Sequence, residues 1–236
     1  MLDQRLATRV ENFVSRLKRE SVCMHGFILD VRGEVKATAY YPPFVEGKAH
    51  RMYSVSKSMT ALAIGLLLDE GKISLDDRIA DYFRDFLPEK PDARLMRLKI
   101  RDMLRMATCY RATVYRETDD DWTKPFFTAE PTHEPGTVFH YDTGCSQVLA
   151  ALVARLTGQQ VMDYLTERVF TPLGANDEKH WLCDPAGTCQ GGTGLCMSLR
   201  DLHKVTRLVM DGGRGILPEW FCREMTKKHI DNCLCA

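Results

Sequence analysis

Long hydrophobic runs are scarce in this sequence. The run ALAIGLLL, residues 61–68, stops after eight residues, where a membrane-spanning helix needs about 20. The first twenty residues alternate charge with apolar side chains, so they lack the unbroken apolar core of a signal peptide. A cytoplasmic location follows as the default expectation, with no membrane partner. Charge excess is missing too: Lys plus Arg and Asp plus Glu number 32 each, and no block of like charge exceeds the three aspartates Asp119, Asp120 and Asp121. That balance argues against nucleic acid or an anionic surface as partner. No CxxC pair occurs among the nine cysteines. An odd, scattered set reads as reduced thiols, and neither Cys183, Cys189 and Cys196 nor Cys233 with Cys235 has zinc-type spacing, so no metal is expected. Internal repeats and low-complexity tracts are absent.

What remains is a globular chain of 236 residues, 44% hydrophobic and 27% charged. Leu6, Val10, Val14 and Leu17 mark an amphipathic helix over 1–20. Two strand-like runs follow around an Arg32-Gly33 turn and end at Pro42-Pro43. From Ser54 a helix with little polar face runs to Asp69-Glu70-Gly71, which makes it central and buried. Further helices are predicted over 76–86, 98–106, 144–157, 160–170 and 198–211, the last opened by a Ser198 capping box. The loop 111–137 is long enough for a binding or lid role, and Trp122, Phe126 and Phe127 in it could equally wall a substrate or pack in the core.

Ser54-Val-Ser-Lys57 is an S-x-x-K tetrad, and residues three apart on a helix share a face. A serine hydroxyl becomes a nucleophile when a neighbouring base takes its proton, and a buried amine can be that base. The helix mouth adds backbone N–H groups for a developing oxyanion. Ser15-Arg-Leu-Lys18 fits the same tetrad inside an ordinary amphipathic helix, whereas Ser54 stands where an extended segment meets a buried one. The alternative is that Ser54 or Ser56 caps the helix and Lys57 is solvated, although the dipole there opposes a cation. Downstream, Tyr141 sits on a loop before another apolar helix, with His133, His140 and Asp142 nearby. A phenol at a helix mouth can donate, accept or lose its proton, or simply anchor a turn. Asp76 and Asp77 read as structural acids at a helix start.

Together, YSVSKSMTALAIGLLLDEGKISLDDRIADYF, LKIRDMLRMAT, PGTVFHYDTGCSQVLAALVARLTG and GGTGLCMSLRDLHKVTRLVMDGG resemble the serine β-lactamase and penicillin-binding protein superfamily, in its class C-like branch. The resemblance implies an α+β, β-lactamase/transpeptidase-like fold: an antiparallel sheet flanked by helices plus a mainly helical lobe. One domain over 1–236 is expected, with a helix and hairpin in 1–50, the nucleophile helix and helical lobe in 51–183, and a return to the first lobe in 184–236. It further implies that Ser54 is acylated by a small-molecule or peptide-like amide, β-lactam or ester, that Lys57 and Tyr141 move the proton as a coupled pair, and that no cofactor is needed. Ser56 and Ser58 become bystanders. Thr143 stands where the family more often carries Asn, and could contact substrate or cap the following helix. The family's third motif, Lys or His then a small residue and Gly, occurs nowhere in the 236 residues. The tail DNCLCA shows no turn or stop logic. The expectation is therefore the front portion of a longer hydrolase, lacking the last strands of the sheet, with a catalytically impaired, ligand-binding chain as the alternative.

Overall fold

A computed structural model describes residues 4–232. Helix α1 (Gln4–Arg19) is the amphipathic segment expected at the start, residues 1–3 lying outside the described range. It rests on the hairpin edge-on, Phe13 against Phe27 at 6.0 Å between ring centres. Strands β1 (Gly26–Val31) and β2 (Glu34–Tyr40) pair antiparallel. Arg32 and Gly33 both take positive φ, 56° and 87°, the combination that lets a two-residue turn follow the natural twist of a hairpin. The register slips once between Leu29 and Asp30.

After β3 (His50–Arg51) comes α2 (Val55–Asp69), the buried helix the sequence promised. Met59, Leu62, Ala63, Ile64 and Leu67 are almost fully enclosed. The predicted helix over 76–86 is not formed. Arg78 and Lys99 make an antiparallel bridge, with Ile79 N–H donating to Leu98 O and Ile100 N–H to Asp77 O. Those backbone groups are thereby taken from any helical ladder, and only short 3₁₀ turns follow at Ile79–Tyr82 and Arg84–Phe86. Asp76 pairs with Lys99 and Arg101, and Asp77 accepts from Ser74 N–H and the Tyr82 hydroxyl, so both acids are structural in a turn instead of a helix start.

Helix α3 (Ile100–Leu104) is shorter than its predicted span, and α4 (Pro125–Thr128) interrupts the long loop. Phe126 and Phe127 are buried, and Trp122 stacks on Tyr115 at 4.8 Å. These three aromatics belong to the packing. Helix α5 (Thr143–Thr157) lies against α2, and α6 (Val161–Leu165) widens into a π-type turn over Thr166–Phe170. Strands β4 (His180–Trp181) and β5 (Leu195–Met197) join β3 in the order β3-β5-β4, antiparallel throughout. Helix α7 (Leu199–Met210) starts at the Ser198 cap, whose hydroxyl accepts from Asp201 N–H, and α8 (Glu219–Glu224) closes the described fold. Asp30, at the slip in β1, binds His203 at 2.9 Å and so ties the hairpin to α7. Gly65 lets α8 reach α2 directly: a Cβ there would stand 2.3 Å from the Phe221 ring. Among the described residues no helix is long and apolar enough to cross a membrane. Cys233, Cys235 and most of the tail lie outside the described residues.

Candidate active site

The site begins where β3 becomes α2. Met52 N–H donates to Leu195 O at 2.8 Å, continuing the β3-β5 pairing by one residue. Tyr53 then takes φ +46°. A left-handed tyrosine costs of the order of 1–3 kcal/mol and persists only where its surroundings impose it. Here it turns strand into helix within a single residue. Ser54 stands at the N-cap position with φ −67° and ψ −10°, and its side chain makes no capping bond. Its hydroxyl is thus exposed and available for chemistry. Ser56 has a structural role: it is fully buried and its Oγ accepts from Leu195 N–H at 3.0 Å. Thr60 Oγ1 donates to Gly191 O at 2.8 Å one turn further on. Two buried hydroxyls therefore pin α2 to the segment leading into β5.

Lys57 Nζ donates to Ser54 Oγ at 3.2 Å and to Gly192 O at 2.8 Å. Tyr141 OH donates to the same Ser54 Oγ at 2.8 Å. The Lys57 ammonium also lies 4.9 Å from the centre of the Tyr141 ring. Partial burial pushes the Tyr141 phenol up, but its hydrogen bonds with Ser54 and Lys57 and the charge of Lys57 outweigh burial and leave it below the ordinary tyrosine range. A phenol so placed can lose its proton and then accept one from Ser54, reversing the bond now seen. Tyrosinate absorbance during a pH titration is expected to show a component below the usual tyrosine range. That component should vanish in Tyr141→Phe and move upward in Lys57→Ala, where only the Ser54 bond opposes burial. A titration identical in wild type and Tyr141→Phe would contradict this reading of the site.

Thr143 is the first residue of α5, and the cap is its neighbour: Asp142 accepts from Gly144 N–H at 2.7 Å. The alternative of Thr143 as cap is thereby corrected. Thr143 instead faces Gly192, where a Cβ would stand 2.4 Å from Thr143 Cγ2 and 3.2 Å from Lys57 Nζ. It belongs to the wall beside the ammonium. Asp142 is fully buried directly behind Tyr141, accepts from Thr113 Oγ1 at 2.8 Å, and leaves Oδ2 with no protein partner. Burial pushes its carboxyl above the usual carboxylate range, against the pull of Thr113 and Gly144. Thr113 also accepts from Thr143 N–H at 2.9 Å, so loop 111–137 does reach the site, through one threonine.

Of the sequence-based candidates, Ser54, Lys57, Tyr141 and Thr143 come together. His133 and His140 face each other at 5.2 Å between rings, and His133 bonds Thr132, without touching the Ser54 group. Gly192 and Thr113 were the participants not singled out, while Asp142 and Ser56 were named without the roles they have here. The glycine pair Gly191-Gly192 carried a readable signal: two adjacent residues without side chains, next to a strand, mark a close backbone approach.

The family model described as Beta-lactamase matches residues 26–231. A 6-aminohexanoate-dimer hydrolase of Paenarthrobacter ureafaciens is 27% identical over 225 residues, which is 88% of this chain and 57% of that one. The solved structure of EstCE1, a hydrolase with promiscuous acyltransferase activity, shares 19% identity with a TM-score of 0.78, over 97% of this chain and 78% of that one. An octameric penicillin-binding protein homologue from Pyrococcus abyssi shares 18% identity with a TM-score of 0.76, over 97% of this chain and 61% of that one. The chain thus spans a little over half the length of the Paenarthrobacter relative.

Proposed function

Because the chain belongs to the Beta-lactamase family, whose fold its described residues share, we propose that it works as a serine hydrolase acylated on Ser54. The observation that carries this is the convergence of Tyr141 OH and Lys57 Nζ on one exposed serine oxygen, at 2.8 and 3.2 Å. Ser54 Oγ attacks the carbonyl carbon of an amide or ester while its proton passes to the coupled Tyr141 and Lys57 pair. Backbone N–H groups at the mouth of α2 face the oxyanion that forms. The bond from carbonyl carbon to leaving nitrogen or oxygen then breaks, and the held proton goes to the leaving group. Water attacks the resulting ester, the pair takes its proton, and Ser54 is released with its own proton restored.

The name of the Paenarthrobacter relative points to a linear amide, and we take the 6-aminohexanoate dimer as the first substrate to try. The test is covalent capture. Incubation with a fluorophosphonate should add one adduct, and fragmentation of the peptide 52–57 should place it on Ser54 and not on Ser56. No adduct, or one elsewhere, sinks the proposal. Thr143 favours a second reading, a site that acylates and then stalls, because a threonine cannot offer the paired amide N–H donors of asparagine. Persistent adduct with a penicillin, without product release, would separate that reading from turnover.

A further inference from the structure

Cys183 and Cys189 face each other across an isolated antiparallel bridge. The hydrogen bonds flank the pair instead of joining it: Gln190 N–H donates to Leu182 O at 2.8 Å and Asp184 N–H to Thr188 O at 2.9 Å. This is the non-hydrogen-bonded kind of pairing, in which the two Cα atoms lie about 4.5 Å apart with both side chains on one face. Disulfides accept Cα separations of about 4.4–6.8 Å, so a bridge here needs no change of backbone. Both thiols are free, Cys183 exposed and Cys189 buried.

The hairpin they sit on holds the site. Gln190 O, one residue on, accepts from Trp181 Nε1 at 2.9 Å; Gly191 N–H donates to Gln147 Oε1 at 3.1 Å; Gly191 O accepts from Thr60 and Gly192 O from Lys57. At its other end Asp184 accepts from Trp122 N–H and from Gln147 Nε2. Whatever fixes the register of 183–189 fixes where the Gly192 carbonyl meets the ammonium.

We propose that Cys183 and Cys189 form a redox pair that closes on contact with a small disulfide and staples the hairpin carrying Gly191 and Gly192. The exposed Cys183, as thiolate, attacks one sulfur of glutathione disulfide, forms a mixed disulfide and expels one glutathione thiolate. Cys189 then gives up its proton and attacks Cys183 Sγ, releasing the second glutathione. The protein loses two protons and two electrons, which the small disulfide takes up as two thiols. Burial holds the Cys189 thiol up at about 12 and the Cys183 thiol adds to this, so Cys189 is the slower, resolving partner.

The test is to treat the folded chain with glutathione disulfide, quench with an alkylating agent and map the peptide 180–200. That peptide should lose two hydrogens, and dilute-acid cleavage between Asp184 and Pro185 should leave its halves joined until a reductant is added. Cys196→Ser, in the same peptide, should close as wild type does; Cys183→Ser should not close; Cys189→Ser should hold glutathione on Cys183. Hydrogen exchange of the amides at 190–194 should slow several-fold in the closed form, a readout independent of any enzymatic activity. Because Cys183 is exposed, its serine variant tests the bridge without disturbing the core. Absence of closure, closure that survives Cys183→Ser, or closure with unaltered exchange at 190–194 would overturn the proposal.

Discussion

Ser54→Ala should abolish covalent labelling and amide turnover, and Lys57→Ala should slow acylation by about 10²–10⁴-fold, the range for removal of a positioned acid–base group. Neither change should unfold the chain. Ser54 is exposed and makes no capping bond, so its hydroxyl contributes little to stability. Lys57→Ala leaves the Gly192 carbonyl without its charged donor, a loss of about 1.5–3 kcal/mol at most for a hydrogen bond to a charged group. Thermal unfolding beside single-turnover labelling therefore separates chemistry from folding. The double variant should label no less than Ser54→Ala alone, because residues acting as a unit do not contribute additively. Labelling of Ser54→Ala at the wild-type rate would end the nucleophile assignment. Undiminished acylation in Lys57→Ala would confine the proton to Tyr141.

The second large effect is expected at Gly191. A Cβ there would lie 2.1 Å from Ser146 O and 2.7 Å from Ala150 Cβ, both on α5. The segment cannot retreat, since Thr60 on α2 and Gln147 on α5 hold its carbonyl and amide. Gly191→Ala should therefore destabilise by about 1–3 kcal/mol or more, the usual cost of overpacking against a rigid neighbour. In a chain of this size each kcal/mol lowers Tm by roughly 2–4 °C. At Gly192 the two nearest obstructions are side-chain ends, the Thr143 methyl and the Lys57 ammonium, with the Thr143 carbonyl oxygen only at 3.3 Å. Gly192→Ala should accordingly spare Tm more and impair acylation more. Equal Tm for Gly191→Ala and wild type would mean that the approach to α5 is looser than these distances require.

The buried helix was legible because α2 carries apolar residues on nearly every face, too few to span a membrane and therefore a core pattern. The Arg32-Gly33 turn and the Ser198 cap were legible because local chemistry decides them. Ser54 and Lys57 could be paired from spacing, since three residues along a helix fix a neighbour wherever that helix lies. Tyr141 could not be so placed. Its distance from Ser54 depends on how α5 packs on α2, and only the likeness to a known family brought the two together beforehand. The strands β3 and β4 have two residues each, too few to show a period. The span 76–86 has helix-like spacing, yet its bridge to Lys99 is non-local and invisible to any window. The anchoring role of Ser56 fails to stand out for the same reason: Leu195, which it holds, is far away in the sequence.

That distance sets an order of events in folding. The bonds Thr60 to Gly191, Lys57 to Gly192 and Leu195 to Ser56 join positions 131, 135 and 139 residues apart. Loops of that length close late and slowly, because chain entropy is lost before the distant contact returns anything. During synthesis, Ser54 and Lys57 leave the ribosome long before their anchors exist. Tyr141 follows later, and the Gly192 carbonyl that holds the ammonium comes 135 residues behind Lys57. The Ser54, Lys57 and Tyr141 arrangement is thus completed only after the chain has emerged beyond Gly192, so shorter nascent chains lack it.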